Sequence, residues 1–249
     1  MAGHSKWAQI KRKKAVTDAR RASAWTKLIR EITVAAKAGG GDPGGNPRLR
    51  LAIDAAKAQN MPNDNIDRAI KKGTGELEGQ AYEEVTYEGY GPGGTAILIE
   101  GSTDNPNRTV AEIRFVFSRN GGNLGTSGSV AWMFEKKGQL TLDGAAGDED
   151  RLMELALEAG AEDFSREGEQ FLVVTNPADF HAVQDRLRAA RVAVTTAELA
   201  MVPKNTVKVE GEDAAKLLRL LDALEELDDV SKVFANFEID ADDLAGAEA

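Results

Sequence analysis

The chain has 249 residues, with 31 Lys and Arg against 41 Asp and Glu, a formal net charge of −10; 42% of its residues are hydrophobic and 29% are charged. This is the composition of a globular protein of two or three domains, with no run near the roughly 20 apolar residues of a membrane span and no apolar N-terminal signal, so a cytoplasmic location away from membranes is expected. Cysteine is absent and His4 and His181 are the two histidines, which removes disulfides, zinc–thiolate sites, Fe–S clusters and cysteine nucleophiles and leaves no set for a His-based metal cluster. No cofactor, no metal and no enzymatic activity are expected.

The charge is divided along the chain. Residues 1–75 carry 16 Lys and Arg against 6 Asp and Glu, a net of +10, whereas residues 76–249 carry 15 against 35, a net of −20. A basic segment of this density favours a polyanion partner over a merely solvated face. Lys6, Lys11, Arg12, Lys13, Lys14, Arg20 and Arg21 are the candidate phosphate contacts, and the Trp7 indole among them can stack on an exposed base. Nothing in this pattern separates DNA from RNA.

The predicted elements follow in chain order. Thr17 caps a helix running to Ala38, whose apolar stripe is Trp25, Leu28, Ile29, Ile32 and Ala36 at helical spacing, with Arg20, Arg21, Lys27, Arg30 and Lys37 facing outward. Gly39–Gly45 is a flexible connector. Asn46 and Pro47 start a second helix in the favoured cap-then-proline order, with Leu49, Ile53 and Ala56 inward. A third helix, Pro62–Lys72, buries Ile66 and Ile70 and ends at Gly73. After residue 80 the hydrophobic period falls to two. Strands 82–88 and 95–100 flank the turn Gly89–Gly94, helix 106–120 turns Val110, Ile113 and Phe117 inward, and a strand is expected over 130–135. Strand 138–142, helix 149–159, strands 162–166 and 169–175, helix 178–190 and strand 192–200 make a complete β-α-β-β-α-β unit. A last β-α-β over 205–210, 213–226 and 230–237 cannot fold alone and is expected to join the sheet begun by 82–136.

The expected fold class is therefore α+β, with an N-terminal three-helix domain followed by two ferredoxin-like α/β sandwich domains, one inserted in the other. The boundaries are 1–79 for the basic helical domain, 80–136 plus 203–240 for the discontinuous domain, 137–202 for the insert and 241–249 for an acidic tail.

Two glycine-rich stretches need weighing. Gly89-Tyr-Gly-Pro-Gly-Gly94 matches G-x-G-x-x-G but precedes a strand and no helix, so it reads as a hairpin turn. Between helix and strand, Gly121, Gly122, Asn123, Gly125, Thr126 and Ser127 can form a backbone nest for phosphate, against the plain alternative of a helix cap followed by a loop. Acidic pairs such as Asp228-Asp229 read as solvation in so acidic a segment, with metal binding the lesser reading.

The segments 1–7 (MAGHSKW), 46–75 (NPRLRLAIDAAKAQNMPNDNIDRAIKKGTG), 87–94 (YEGYGPGG), 121–138 (GGNLGTSGSVAWMFEKKG), 201–207 (MVPKNTV) and 224–230 (LEELDDV) resemble the YebC/PmpR family from the first residue to about residue 240. The resemblance implies three domains, no enzymatic activity and no cofactor. It further implies a transcriptional regulator that binds DNA, or, as for mitochondrial relatives, a translational activator working at the ribosome and its RNA. A protein-interaction adaptor whose basic domain binds an acidic partner is the third alternative, and the acidic α/β domains are expected to present a face to the ribosome or another protein. No helix-turn-helix with a recognition helix stands out in the sequence.

Overall fold

The computed structural model describes residues 18–240, with side chains from Ser23 onward. Three helices come first, α1 (Asp18–Gly39), α2 (Pro47–Ala58) and α3 (Asn63–Gly73), followed by β1 (Glu83–Tyr90), β2 (Ala96–Thr103), α4 (Pro106–Arg119) and β3 (Asn123–Leu124). Then come β4 (Phe134–Asp143), α5 (Glu149–Glu158), β5 (Ala161–Glu167), β6 (Gln170–Thr175), α6 (Phe180–Ala189) and β7 (Val194–Pro203). The last elements are β8 (Val207–Lys208), α7 (Gly211–Glu225), β9 (Val230–Ala235) and β10 (Phe237–Glu238). The architecture is mixed α+β, with antiparallel sheets after an N-terminal helical domain.

Two compact units result. Residues 134–204 form one, and the other described residues form the second.

In the helical part of the second unit, Ile32, Ala35 and Ala36 of α1 pack on Leu49, Ala52, Ile53 and Ala56 of α2 and on Ile66 and Ala69 of α3. Trp25, Leu28, Ile29 and Ile70 lie half-buried against this core. The i, i+3/i+4 stripe read from the sequence is the packing face. Buried Asn46 fixes the entry to α2. Its side-chain oxygen accepts from the Leu49 N–H at 3.1 Å, and its amide donates to the Ala35 and Gly40 carbonyls at 2.8 and 2.9 Å. The Gly39–Gly45 connector is thus tied back to the end of α1. Gly73 lets the last turn of α3 touch α1, because a Cβ there would overlap the Thr33 carbonyl oxygen.

The α/β part of this unit has strand order β3-β1-β2-β9, with antiparallel pairs throughout. Ile97 and Ile99 of β2, Ile113 and Phe117 of α4, Leu217, Leu221 and Leu224 of α7 and Val233 of β9 share its core. Gly89–Gly94 closes the β1–β2 hairpin, with the Gly91 N–H on the Thr95 carbonyl at 2.8 Å.

The segment 205–210 departs from the expectation that it joins this sheet. Its two strand residues pair in parallel with β10. The cause is Asn236, fully buried between β9 and β10. It exchanges bonds with Ala96 through its N–H and side-chain oxygen, and its carbonyl accepts from Val207. The strand is kinked there and β10 leaves the sheet.

The unit 134–204 has order β5-β6-β4-β7, the ferredoxin-like arrangement, with Leu140, Leu142, Phe171 and Val173 inward. Separate strands at 130–135 and 138–142 were expected, whereas one ten-residue strand, β4, runs through both and is preceded by a 3-10 turn, Ala131–Met133. Gly138 does not break the chain. A side chain there would collide with Thr175 and Phe180, so the glycine serves close packing.

Replacing Asn46 by Ala removes a helix cap and leaves two carbonyls without their donor. The expected cost is about 2 kcal/mol. Urea titration followed by circular dichroism should show the helical signal disappearing at lower urea; an unchanged midpoint would contradict this role.

Candidate nucleic-acid interface

The helical domain docks on its own acidic partner through one face of α1. Ser23, Lys27 and Arg30 recur at helical spacing on that face. The Ser23 hydroxyl lies 3.4 Å from an Asp228 carboxylate oxygen. The Lys27 ammonium donates to the Glu225 carbonyl at the C-terminus of α7 at 2.5 Å, where the helix dipole favours a cation. Arg30 donates to the Asp228 and Ser102 carbonyls at 2.9 and 3.2 Å and to Asp229 Oδ1 at 2.5 Å, with its guanidinium 5.2 Å from the Tyr82 ring centroid. On α2, Arg48 bridges Glu31 of α1 and Glu84 of β1 at 2.8 and 2.7 Å. The outward placement expected for Lys27 and Arg30 is therefore corrected: both are docking residues whose partners lie about two hundred positions away.

Asp229 is the centre of this contact. Its side chain is 3% exposed, and Oδ2 accepts from Arg108 at 2.7 Å and from the hydroxyls of Thr109 and Thr103 at 2.6 and 3.1 Å. Arg108 is placed by the N-terminus of α4, where the Asn105 side chain caps the Arg108 N–H at 3.2 Å. Asp229 is placed by a bulge at Glu100/Gly101 in the β2–β9 pairing. A Cβ on Gly101 would overlap the Asp229 carbonyl oxygen, so glycine is required there. Burial pushes the Asp229 carboxyl up, but the bonds from Arg108, Thr109 and Arg30 prevail and hold it down at about 2. Neither solvation nor metal binding, the two readings of Asp228-Asp229, describes it. No local pattern joins Asp229 to Arg30.

The loop expected to cradle phosphate holds a carboxylate of its own chain. Buried Glu88 of β1 accepts from the N–H groups of Gly128, Val130 and Ala131 at 2.6, 2.6 and 2.7 Å. Burial raises the Glu88 carboxyl, and these three backbone bonds outweigh it, so the net shift is downward. Of the candidate residues, Asn123 pairs with Tyr90, Gly122 donates to Phe117 and Gly125 donates to the Glu88 carbonyl. Gly121 has φ +78°, in the left-handed region that glycine tolerates. The three donors to the carboxylate, Gly128, Val130 and Ala131, lie just beyond the six candidate residues, none of which bonds to it.

Lys6, Trp7, Lys11, Arg12, Lys13 and Lys14 lie outside the described residues; Arg20 and Arg21 lie in the first turn of α1. Elsewhere in the helical domain Lys37, Lys57, Arg68, Lys71 and Lys72 are exposed, with no ion pair among the described residues. Also among the described residues, no helix is long and apolar enough to cross a membrane, and no three His, Asp or Glu side chains gather as a metal set.

Residues 5–76 match the family described as the TACO1/YebC protein N-terminal domain, and residues 82–237 match the TACO1/YebC second and third domain. The chain belongs to this family. A relative from Gemmatimonas aurantiaca is 63% identical, covering 99% of this chain and all of its own. One from Acidithiobacillus ferrooxidans is 59% identical over 100% of this chain and 99% of its own. Both carry the name "probable transcriptional regulatory protein". The crystal structure of a conserved hypothetical protein from Aquifex aeolicus is 50% identical with a TM-score of 0.87, covering 94% of this chain and 97% of that one.

Replacing Asp229 by Asn leaves Arg30 and Arg108 facing a neutral amide, with an expected cost of about 3–5 kcal/mol. The sign with pH follows from the lowered carboxyls. Asp229 and Glu88 stabilise the fold fully above the unfolded carboxyl value near 4 and lose that contribution as pH falls, for Asp229 toward about 2. Urea midpoints measured from pH 6 to pH 2 should fall less steeply in the Asp229→Asn variant than in the natural chain. Parallel curves would remove Asp229 from the account.

Proposed function

We propose that this chain is a non-enzymatic regulator of gene expression that binds nucleic acid through its basic N-terminal domain, with DNA as the leading target, in the cytoplasm. The carrying observation is the charge division, +10 in residues 1–75 against −20 in the remainder. Docking uses Lys27, Arg30 and Arg48, and the cations left over are half-buried Arg50, the exposed lysines and Arg68 of α1–α3, and Lys6, Lys11, Arg12, Lys13, Lys14, Arg20 and Arg21. Trp7 adds a stacking surface for a base. The acidic α/β part as a whole repels a polyanion, which favours binding at the helical end and discourages non-specific wrapping. The names of the relatives support a role in transcription.

One observation favours the second reading, a translation factor on ribosomal RNA. Helices α2 and α3 are joined by a four-residue turn with Asn60 at φ 55°, as in a helix-turn-helix. The N-terminal half of α3, however, presents exposed Asp64 and Asp67, carboxylates that would face phosphates in a major groove. Phosphate and shape recognition by a basic arm suits RNA as well as DNA.

Salt titration of binding tests the assignment. Against duplex DNA, the log–log slope should fall by about 0.9 for each phosphate that is no longer neutralised. Changing Lys11, Arg12, Lys13 and Lys14 to Gln should remove up to about 3.6 from the slope and most of the affinity. Unchanged affinity and slope would take the site away from the N-terminal segment.

A further inference from the structure

Helix α4 stands out against the acidic part of the chain that carries it. It bears Arg108, Arg114 and Arg119 against Glu112, whereas α5 bears one Arg against four carboxylates and α7 two cations against four. Thr109, Ile113 and Phe117 face the core. The opposite face leaves Phe115 in water, 64% exposed. Its helical neighbours at three and four positions are Ala111, Glu112, Ser118 and Arg119, all exposed, with Arg114 beside it. Neither Arg114 nor Arg119 has an ion-pair partner among the described residues, whereas Arg108 is held by Asp104 and Asp229. The face is thus an accessible aromatic ring, small residues on one side of it, and two guanidiniums without counter-ions among the described residues.

We infer that this face of α4 is a second contact for nucleic acid, taking a single-stranded segment with Phe115 stacked on an unpaired base and Arg114 and Arg119 on the flanking phosphates. A ring with cations beside it is the arrangement by which single strands are held, because every base offers a π-face and every nucleotide a phosphate. Charge complementarity selects this occupant over a protein surface. Arg114 and Arg119 make this face of α4 locally cationic, whereas α7 in the same unit, with four carboxylates against two cations, repels a strand. Glu112 opposes binding on its own edge of the face, so Glu112→Gln should tighten it. A duplex does not present its bases to this ring, so the contact is selective for unpaired strands. The inference rests on the reading of the chain as a nucleic-acid-binding protein, and it adds a contact outside the N-terminal domain.

The test uses the full chain and a fluorescein-labelled RNA single strand of about 20 nucleotides, with the matching duplex as control, read by anisotropy over a salt series. Phe115→Ala should weaken single-strand binding about fivefold or more and leave duplex binding unchanged, and Phe115→Tyr should restore it. Arg114→Gln with Arg119→Gln should lower the single-strand salt slope by about 1.4. The fourfold Gln variant at Lys11, Arg12, Lys13 and Lys14 is measured alongside. If that variant weakens binding and the α4 variants do not, the α4 contact is overturned, the N-terminal reading stands, and the face is left to a protein. If the α4 variants weaken binding and the fourfold variant does not, α4 stands and the N-terminal assignment falls. If the natural chain binds neither probe, both fall.

Discussion

A buried carboxylate cannot stay ionised without donors, and Asp229 draws its donors from three separate parts of the chain. Arg30 comes from α1, Arg108 and Thr109 from α4, and Thr103 from the end of β2. Removing any one of these leaves charge or hydrogen-bonding capacity uncompensated in a poorly hydrated site, so the group behaves as a unit. Its consequence is architectural. The helical domain is held at one end of the β3-β1-β2-β9 sheet, where Arg30 of α1 reaches Ser102 of β2 and Asp229 beside β9.

Glycine plays a different part here from the flexibility its abundance suggests. Gly73, Gly101 and Gly138 occupy positions where another backbone or side chain comes within the space of a Cβ. In the 121–129 loop, Gly121 and Gly128 have left-handed φ of +78° and +84°, and the Gly128 N–H donates to the Glu88 carboxylate. The backbone N–H groups at the end of this loop hold an anion of the chain itself, the Glu88 carboxylate.

The sequence carried most of the local structure because local structure has local causes. The stripe on α1, the Asn46–Pro47 start, the hairpin at Gly89–Gly94 and the β-α-β-β-α-β run of the insert all rest on spacing and capping within a few residues. What it hid depends on distant pairs. Arg30 and Asp229 are 199 positions apart, and nothing in either neighbourhood marks the other. Glu88 and the Val130 N–H are 42 apart, which turned an expected strand start into a capped loop. The exit of β10 follows from the single buried side chain of Asn236 and its bonds to Ala96 and Val207. The excess of cations in residues 1–75 is a matter of composition, whereas which of them are taken up in docking required the fold.

Through Asp228, Asp229, Glu225 and Glu84 the acidic part supplies partners for cations of the helical domain. The family assignment supports regulation of gene expression, and the central claim is that nucleic acid is what this chain contacts in doing so. Crosslinking in cells, with sequencing of recovered DNA and RNA and mapping of the crosslinked peptides, measures this directly. The account predicts discrete promoter DNA or a defined ribosomal RNA site, with crosslinks in peptides from residues 6–21. Recovery of neither nucleic acid above an untagged control would contradict it.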